Sequence, residues 1–148
     1  MAAVVALTPS VVPQCDSPKF DRRNDYPPSV RILLAQARRG LLDAEYSTRP
    51  VDRYVQAHRA ALRAAAAVLA ARARPRNHAQ PTNAWALLAI VAPELGEWST
   101  FFAATSATRA AAEAGAHRLV TDHDADDLIR QAREFLALVS HALARTFP

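Results

Sequence analysis

The sequence is poor in the residues that build β-turns and covalent cross-links. It has three glycines and one cysteine, Cys15, among 148 residues. A β protein of this size normally has more glycine in its turns, and one cysteine excludes an intramolecular disulfide. No apolar run approaches the length of about 20 residues that a membrane span needs. We therefore expect neither a disulfide nor a membrane partner, and a cytoplasmic location.

The positive charge is almost entirely arginine, because Lys19 is the only lysine. The formal net charge is +4. A charge of this size permits a polyanionic partner such as RNA without requiring one. Alanine is abundant, and it is the residue that most favours helix. The composition therefore indicates a helical protein before any pattern is considered.

The first 27 residues differ in pattern from the remainder of the chain. They contain Pro13, Pro18 and Pro27 and have no helical spacing of apolar residues. We interpret residues 1–27 as a flexible tail. Residues 28–148 are the predicted folded domain, since their length suits one core.

Two helices are predicted in the first half of this domain. The first begins near Ser29, as its N-cap, and has apolar residues at alternating steps of four and three, which gives one apolar face. The second begins at Pro50, which suits a first turn, and ends before Pro75. An alanine run at 64–67 makes a thin face where another helix can approach closely.

Two more helical segments follow. One starts with Thr82 or Asn83 as its cap, meets Pro93, where it kinks or restarts, and ends at Gly115. The last opens at Asp124, with acidic residues in its first turn. The linkers are short, so sequence neighbours should run antiparallel. The sequence predicts an all-α, antiparallel up-and-down bundle of about four long helices.

His58 is the candidate catalytic residue, because it occupies an apolar seam position of the second helix, where a polar side chain needs a partner. It is either a core histidine bonded to a backbone carbonyl or carboxylate, or a histidine at a cleft or dimer interface. The latter would be available for proton transfer. Arg53 lies five residues earlier, in RYVQAH.

Three longer stretches resemble one family. Residues 53–75, RYVQAHRAALRAAAAVLAARARP, 85–104, WALLAIVAPELGEWSTFFAA, and 126–143, DDLIRQAREFLALVSHAL, resemble in order the helices of short actinobacterial HEPN-domain proteins. HEPN stands for higher eukaryotes and prokaryotes nucleotide-binding. The resemblance covers most of residues 29–146 and implies an HEPN-like bundle.

The resemblance implies an RNA-related module, and a metal-independent endoribonuclease is the activity that it suggests. Arg53 would bind the scissile phosphate and His58 would act as general acid and base. Residues five apart on a helix point about 140° apart, so convergence would need long side-chain reach, a distorted helix or a second protomer. In the family the site usually forms where two protomers meet, so the resemblance implies a homodimer. The alternatives are a non-catalytic HEPN bundle that binds RNA, nucleotide or a partner protein, and a helical dimerisation scaffold.

A second group of cationic residues surrounds the loop after the second helix: Arg72, Arg74, Arg76 and His78. They are candidate nucleic-acid ligands, although positive charge also suits a helix C-terminus. The histidines and aspartates between His117 and Asp126 have no standard metal-site spacing, so we predict no metal or other cofactor. Trp85, Trp98 and Phe102 follow a buried stripe and are predicted to be core residues.

Overall fold

The computed structural model describes residues 25–72 and 83–148, and within these ranges the protein is helical without any strand. Its five α-helices are Pro28–Tyr46 (α1), Pro50–Arg72 (α2), Ala84–Val91 (α3), Gly96–Glu113 (α4) and Asp122–Thr146 (α5). The all-α prediction is confirmed. Most of the predicted tail, residues 1–24, lies outside the described residues.

Helix α2 is the centre of the bundle, because it packs against all four other helices. Its inward surface is mostly alanine, and Ala60, Ala61, Ala64 and Ala65 are completely buried. A methyl side chain occupies little space, so helices can approach α2 closely on several sides. The thin alanine face predicted from the sequence is therefore the reason that one helix can contact four others.

The helix directions follow from cross-helix contacts. Arg38 reaches Ser140, and Arg133 forms an ion pair with Glu45, so α1 and α5 are antiparallel. Helix α2 runs parallel to α5, since Arg53 bonds Asp126 near one end. Arg72 of α2 bonds residues near the other end of α5. The chain thus has the predicted up-and-down arrangement.

Proline 93 divides the third predicted segment into two helices. Helix α3 ends at Val91, a 3-10 turn spans Pro93–Leu95, and α4 begins at Gly96. Proline has no backbone N–H, and it disfavours helical backbone in the residue before it. Ala92 accordingly has φ −132° and ψ 76°. Of the two outcomes that the sequence left open, the segment restarts, which gives five helices rather than about four.

The helix ends agree with the sequence in some places and differ in others. Asn83, one of the two residues predicted as the cap, caps α3 by accepting a hydrogen bond from the N–H of Trp85. Helix α5 begins two residues before Asp124, because Thr121 is its N-cap and exchanges hydrogen bonds with Asp124 in a capping box. Ser29 is not a cap, since α1 already includes Pro28.

The packed body includes one residue before α1. Tyr26 is buried, and its ring centroid lies 5.1 Å from that of Phe147, just after α5. This contact joins the start of α1 to the end of α5. The first and last described segments are therefore held against each other.

We expect Gly40→Ala to stabilise the protein. A Cβ at Gly40 would lie 3.4 Å from Ala60 Cβ and 3.7 Å from Ala60 Cα, which is ordinary contact. Alanine is better than glycine within a helix by about 1 kcal/mol, so the free energy of unfolding should rise by about 0.5–1 kcal/mol in urea titrations. Gly40→Leu is the matched control and should destabilise, because its larger side chain must displace α2. A decrease in the free energy of unfolding for Gly40→Ala would show that α1 and α2 lie closer together than these distances indicate.

Candidate functional site

His58 lies in the interior of the bundle, with none of its surface exposed. Helix α2 directs its ring towards α3 and α4. The ring meets Trp85 and Phe102 edge-on, at centroid distances of 6.0 and 5.8 Å. Large aromatic side chains thus separate the imidazole from solvent.

One nitrogen of His58 has a defined partner and the other does not. Nε2 lies 3.1 Å from the carbonyl oxygen of Phe102. A carbonyl only accepts, so Nε2 carries the hydrogen in this tautomer. The same carbonyl accepts hydrogen bonds from the hydroxyls of Thr105 and Ser106, each at 3.0 Å. Nδ1 is buried without a hydrogen-bond partner among the described residues.

This environment favours the neutral form of the imidazole. Burial lowers the pKa of His58, since transfer from water penalises the charged form. The bond to Phe102 opposes this shift, and nearby Arg109 adds to it. Protonation would place a hydrogen on Nδ1, for which the described residues provide no acceptor. A neutral, enclosed imidazole acts here as a packed hydrogen-bond donor.

Arg53 lies at the surface end of the same helix and has a different partner. Its Nη2 is 2.6 Å from Oδ1 of Asp126 on α5, and 20% of the side chain is exposed. The pair joins the first turns of α2 and α5. The two residues of the predicted catalytic pair therefore have separate partners within one chain, Asp126 for Arg53 and the Phe102 carbonyl for His58.

The guanidinium of Arg72 is engaged within the protein. It forms an ion pair with Glu94 and donates to Oγ1 of Thr146 at 3.0 Å and to the carbonyl of Ala142 at 3.3 Å. Its bond to Glu94 lowers the pKa of that carboxyl group. Arg72 thus ties the end of α2 to the turn before α4 and to the end of α5.

The remaining members of the predicted nucleic-acid group, Arg74, Arg76 and His78, lie outside the described residues.

We expect Arg72→Ala to lower the free energy of unfolding by about 1–2 kcal/mol, because it removes charge-assisted bonds to two segments, the turn before α4 and the end of α5. Arg145→Ala is the matched control, since Arg145 is an exposed arginine in the last turn of α5, where a substitution usually changes stability by less than about 0.5 kcal/mol. Chemical denaturation of the two variants gives the comparison. Equal stability would mean that the Arg72 bonds contribute nothing net.

A cleft of about 260 Å³ opens between α4 and α5. One of its lining residues, Tyr54 of α2, directly follows Arg53 in the sequence. Tyr54, Phe101 and Leu128 line the cleft, together with Asp124 and Asp127. Asp124 accepts hydrogen bonds from the Thr121 cap, which lower its pKa. Carboxylates in these positions oppose the entry of a phosphate, because like charges repel.

The end of the bundle beside this cleft carries an exposed arginine–histidine contact. Nη2 of Arg49 lies 2.7 Å from Nδ1 of His117. Arg49 also has the carboxylate of Asp52 at 3.9 Å. Across residues 25–72 and 83–148, no three side chains of His, Cys, Asp or Glu are arranged to hold a metal ion.

The outer face of α1 is apolar, and no other helix of the described ranges 25–72 and 83–148 covers it. Ile32, Leu42 and Tyr46 have 56, 54 and 84% of their surface exposed. With Ala35 and Arg39 they follow steps of three and four along the helix, opposite the buried stripe that begins at Val30. We call Ile32, Ala35, Arg39, Leu42 and Tyr46 the outer face. The apolar residues of the outer face could be seen in the sequence. The sequence of a helix with two apolar stripes, however, does not indicate which stripe packs against the bundle.

The architecture places the protein in the class of all-α up-and-down bundles. A model of the SAV_6107-like HEPN domain matches residues 44–140, about two thirds of the chain. The chain belongs to the SAV_6107-like HEPN family. The matched region runs from the end of α1 through most of α5 and contains both Arg53 and His58. No curated protein and no solved structure matched the chain.

The described helices include none with the length and apolar character needed to cross a membrane.

Proposed function

We propose that this HEPN module is non-catalytic and works by binding a partner protein. The observation that carries the proposal is the position of His58, which is fully buried and bonded to the Phe102 carbonyl. A general base must reach the proton that it abstracts, directly or through one water. An imidazole enclosed by Trp85 and Phe102 cannot reach the 2′-hydroxyl of an RNA bound at the surface.

The surface features support a protein partner rather than a nucleic acid. The outer face of α1 presents large apolar side chains, and such exposed patches commonly mark interaction sites. The cleft between α4 and α5 is lined in part by Asp124 and Asp127, whose negative charge disfavours a phosphate. Arg53 forms an ion pair with Asp126, and Arg72 forms one with Glu94. Their charges are therefore already paired within the protein.

The second candidate function is a metal-independent endoribonuclease that uses Arg53 and His58. The observation in its favour is Nδ1 of His58, a buried nitrogen without a hydrogen-bond partner among the described residues. Unsatisfied buried polar atoms are uncommon and sometimes belong to functional groups. This candidate requires α4 to move away from α2, so that Arg53 and His58 can act on one phosphate, within a chain or across a homodimer.

We expect the purified protein to show no RNA cleavage that depends on His58. The experiment incubates mixed RNA with the parent chain and with His58→Gln, in excess EDTA, after equal stability of the two has been established. Glutamine retains an N–H donor for the Phe102 carbonyl. Equal residual products would agree with a non-catalytic module. Cleavage by the parent that disappears in both His58→Gln and Arg53→Ala would overturn the proposal.

RNA binding by the segment around Arg72, Arg74, Arg76 and His78 is tested separately. We expect weak binding of a labelled single-stranded RNA that Arg74→Ala/Arg76→Ala leaves unchanged, as measured by fluorescence anisotropy. A loss of tenfold or more in affinity would instead assign phosphate contacts to that segment. Such a result would mean that the partner of this module is a nucleic acid rather than a protein.

A further inference from the structure

We infer that the outer face of α1 binds an amphipathic helix of a partner protein, and that this helix carries a carboxylate opposite Arg39. The inference rests on the proposed function and names the partner's chemistry. Ile32, Ala35, Leu42 and Tyr46 supply the apolar positions of a helix-pairing seam, with Arg39 in its centre. Alternating steps of three and four are the spacing by which one helix packs along another.

The dimensions of the face suit a single helix. Tyr46 lies fourteen helical steps after Ile32, which corresponds to about 21 Å at about 1.5 Å per step. The opposite side of α1 packs against the bundle, where Leu34, Ala37 and Ala44 are buried. Within the described part of the chain, the outer face therefore remains open along four helical turns.

Charge determines which occupant fits. Arg39 is exposed in the middle of the apolar positions, where a facing helix would enclose its guanidinium. An enclosed charge needs an opposite charge or it weakens the contact strongly. A glutamate or aspartate at the facing position of the partner satisfies Arg39. Arg31 and Asp43 are exposed near the two ends of the face. They favour a partner helix that is acidic at the end facing Arg31 and basic at the end facing Asp43.

A second copy of this chain fits the same face poorly. The seam is centred on Arg39, so a symmetric antiparallel pairing places Arg39 against Arg39. A parallel pairing in register produces the same contact. Like charges at a seam position disfavour self-pairing. Residues 1–24 contain Pro9, Pro13 and Pro18, and proline interrupts a helix of the four turns that the seam would pair with.

Two synthetic helical peptides test this chemistry. Each has leucine or isoleucine at seam positions over four turns, and they differ only in a central glutamate or lysine. Fluorescence anisotropy measures their binding to the full chain. We expect the glutamate peptide to bind at least tenfold more tightly than the lysine peptide. Arg39→Glu should reverse this preference, which a general loss of folding could not do.

The apolar positions are tested with Ile32→Ser/Leu42→Ser, which should weaken the glutamate peptide tenfold or more. Leu138→Ser is the matched control, because Leu138 is an exposed apolar residue on α5, 42% accessible. It should leave the affinity unchanged. Equal binding of both peptides, or binding that Ile32→Ser/Leu42→Ser does not weaken, would overturn the inference.

The other occupants give distinct results. A dimer of the parent in light scattering that Ile32→Ser/Leu42→Ser converts to monomer would assign the face to a second copy. A tenfold gain in peptide affinity on deletion of residues 1–24 would assign it to that segment. Either result would overturn the inference and leave the non-catalytic proposal intact. Cleavage of RNA that depends on His58 would overturn that proposal while leaving the peptide results valid.

Discussion

Phe102→Ala is expected to lower the free energy of unfolding by about 3–5 kcal/mol, which is the usual range for removing a buried aromatic ring. Phe102 is completely buried, and its ring stacks on Trp85 with centroids 5.0 Å apart. Phe135 of α5 lies 5.2 Å away and Trp98 6.2 Å away. Removing this ring opens a cavity at the point where α3, α4 and α5 meet His58 of α2.

Urea unfolding followed by tryptophan fluorescence measures the loss, since both tryptophans contact Phe102. Phe101→Ala is the matched control, because Phe101 is the neighbouring phenylalanine but is only half-buried. It should cost clearly less. If Phe102→Ala does not fold, Phe102→Leu should still fold with a smaller loss. A loss below about 1 kcal/mol for Phe102→Ala would contradict the packing described.

The second large effect is a loss of stability in mild acid caused by His58. Burial lowers its pKa in the folded protein, whereas in the unfolded chain the pKa is near the ordinary value of about 6.5. Below that value the unfolded chain binds a proton that the folded chain does not. Stability from this group is therefore complete above about pH 6.5 and falls with decreasing pH. The slope approaches about 1.4 kcal/mol per pH unit until the folded-state pKa is reached.

The measurement is urea unfolding of the parent and of His58→Gln at intervals from pH 8 to pH 5. Both chains share every other titrating group, including exposed His117, His123 and His141. Arg109 and Glu113, which act on His58 with opposite signs, are also unchanged. The parent should lose more stability than the variant between pH 6.5 and pH 5. Parallel curves would mean that the pKa of His58 is the same in the folded and the unfolded chain.

Acid sensitivity and catalysis are linked through one side chain. If His58 is enclosed as described, the steeper loss of the parent and the absence of His58-dependent RNA cleavage should occur together. If α4 opens readily, His58 should titrate near its ordinary value and the curves should become parallel. The pH series therefore reports on the same opening that the endoribonuclease candidate requires.

The helical pattern could be predicted because it depends on local chemistry. Alternating steps of three and four predicted the buried stripe of α1, which the structure confirms at Val30, Leu34 and Ala37. Pro50 at the start of α2 and Asn83 before α3 identified helix ends through their own backbone preferences. Gly115, the predicted end of its helix, has a φ of 107°, where glycine is favoured. Family membership followed from the same ordered segments.

The surroundings of His58 could not be predicted in the same way. Its seam position indicated burial, but the choice between a core residue and a cleft residue depended on α4, 44 positions away in sequence. Whether Arg72 faces solvent depended likewise on Glu94 and Thr146. The sequence by itself determined the all-α class, most helix ends and the family, because these depend on residues close together along the chain. Only the tertiary structure decided that His58 is enclosed, that Arg53 and Arg72 are paired, and that the other described helices leave the outer face of α1 exposed. Those properties depend on which distant helices come together around α2.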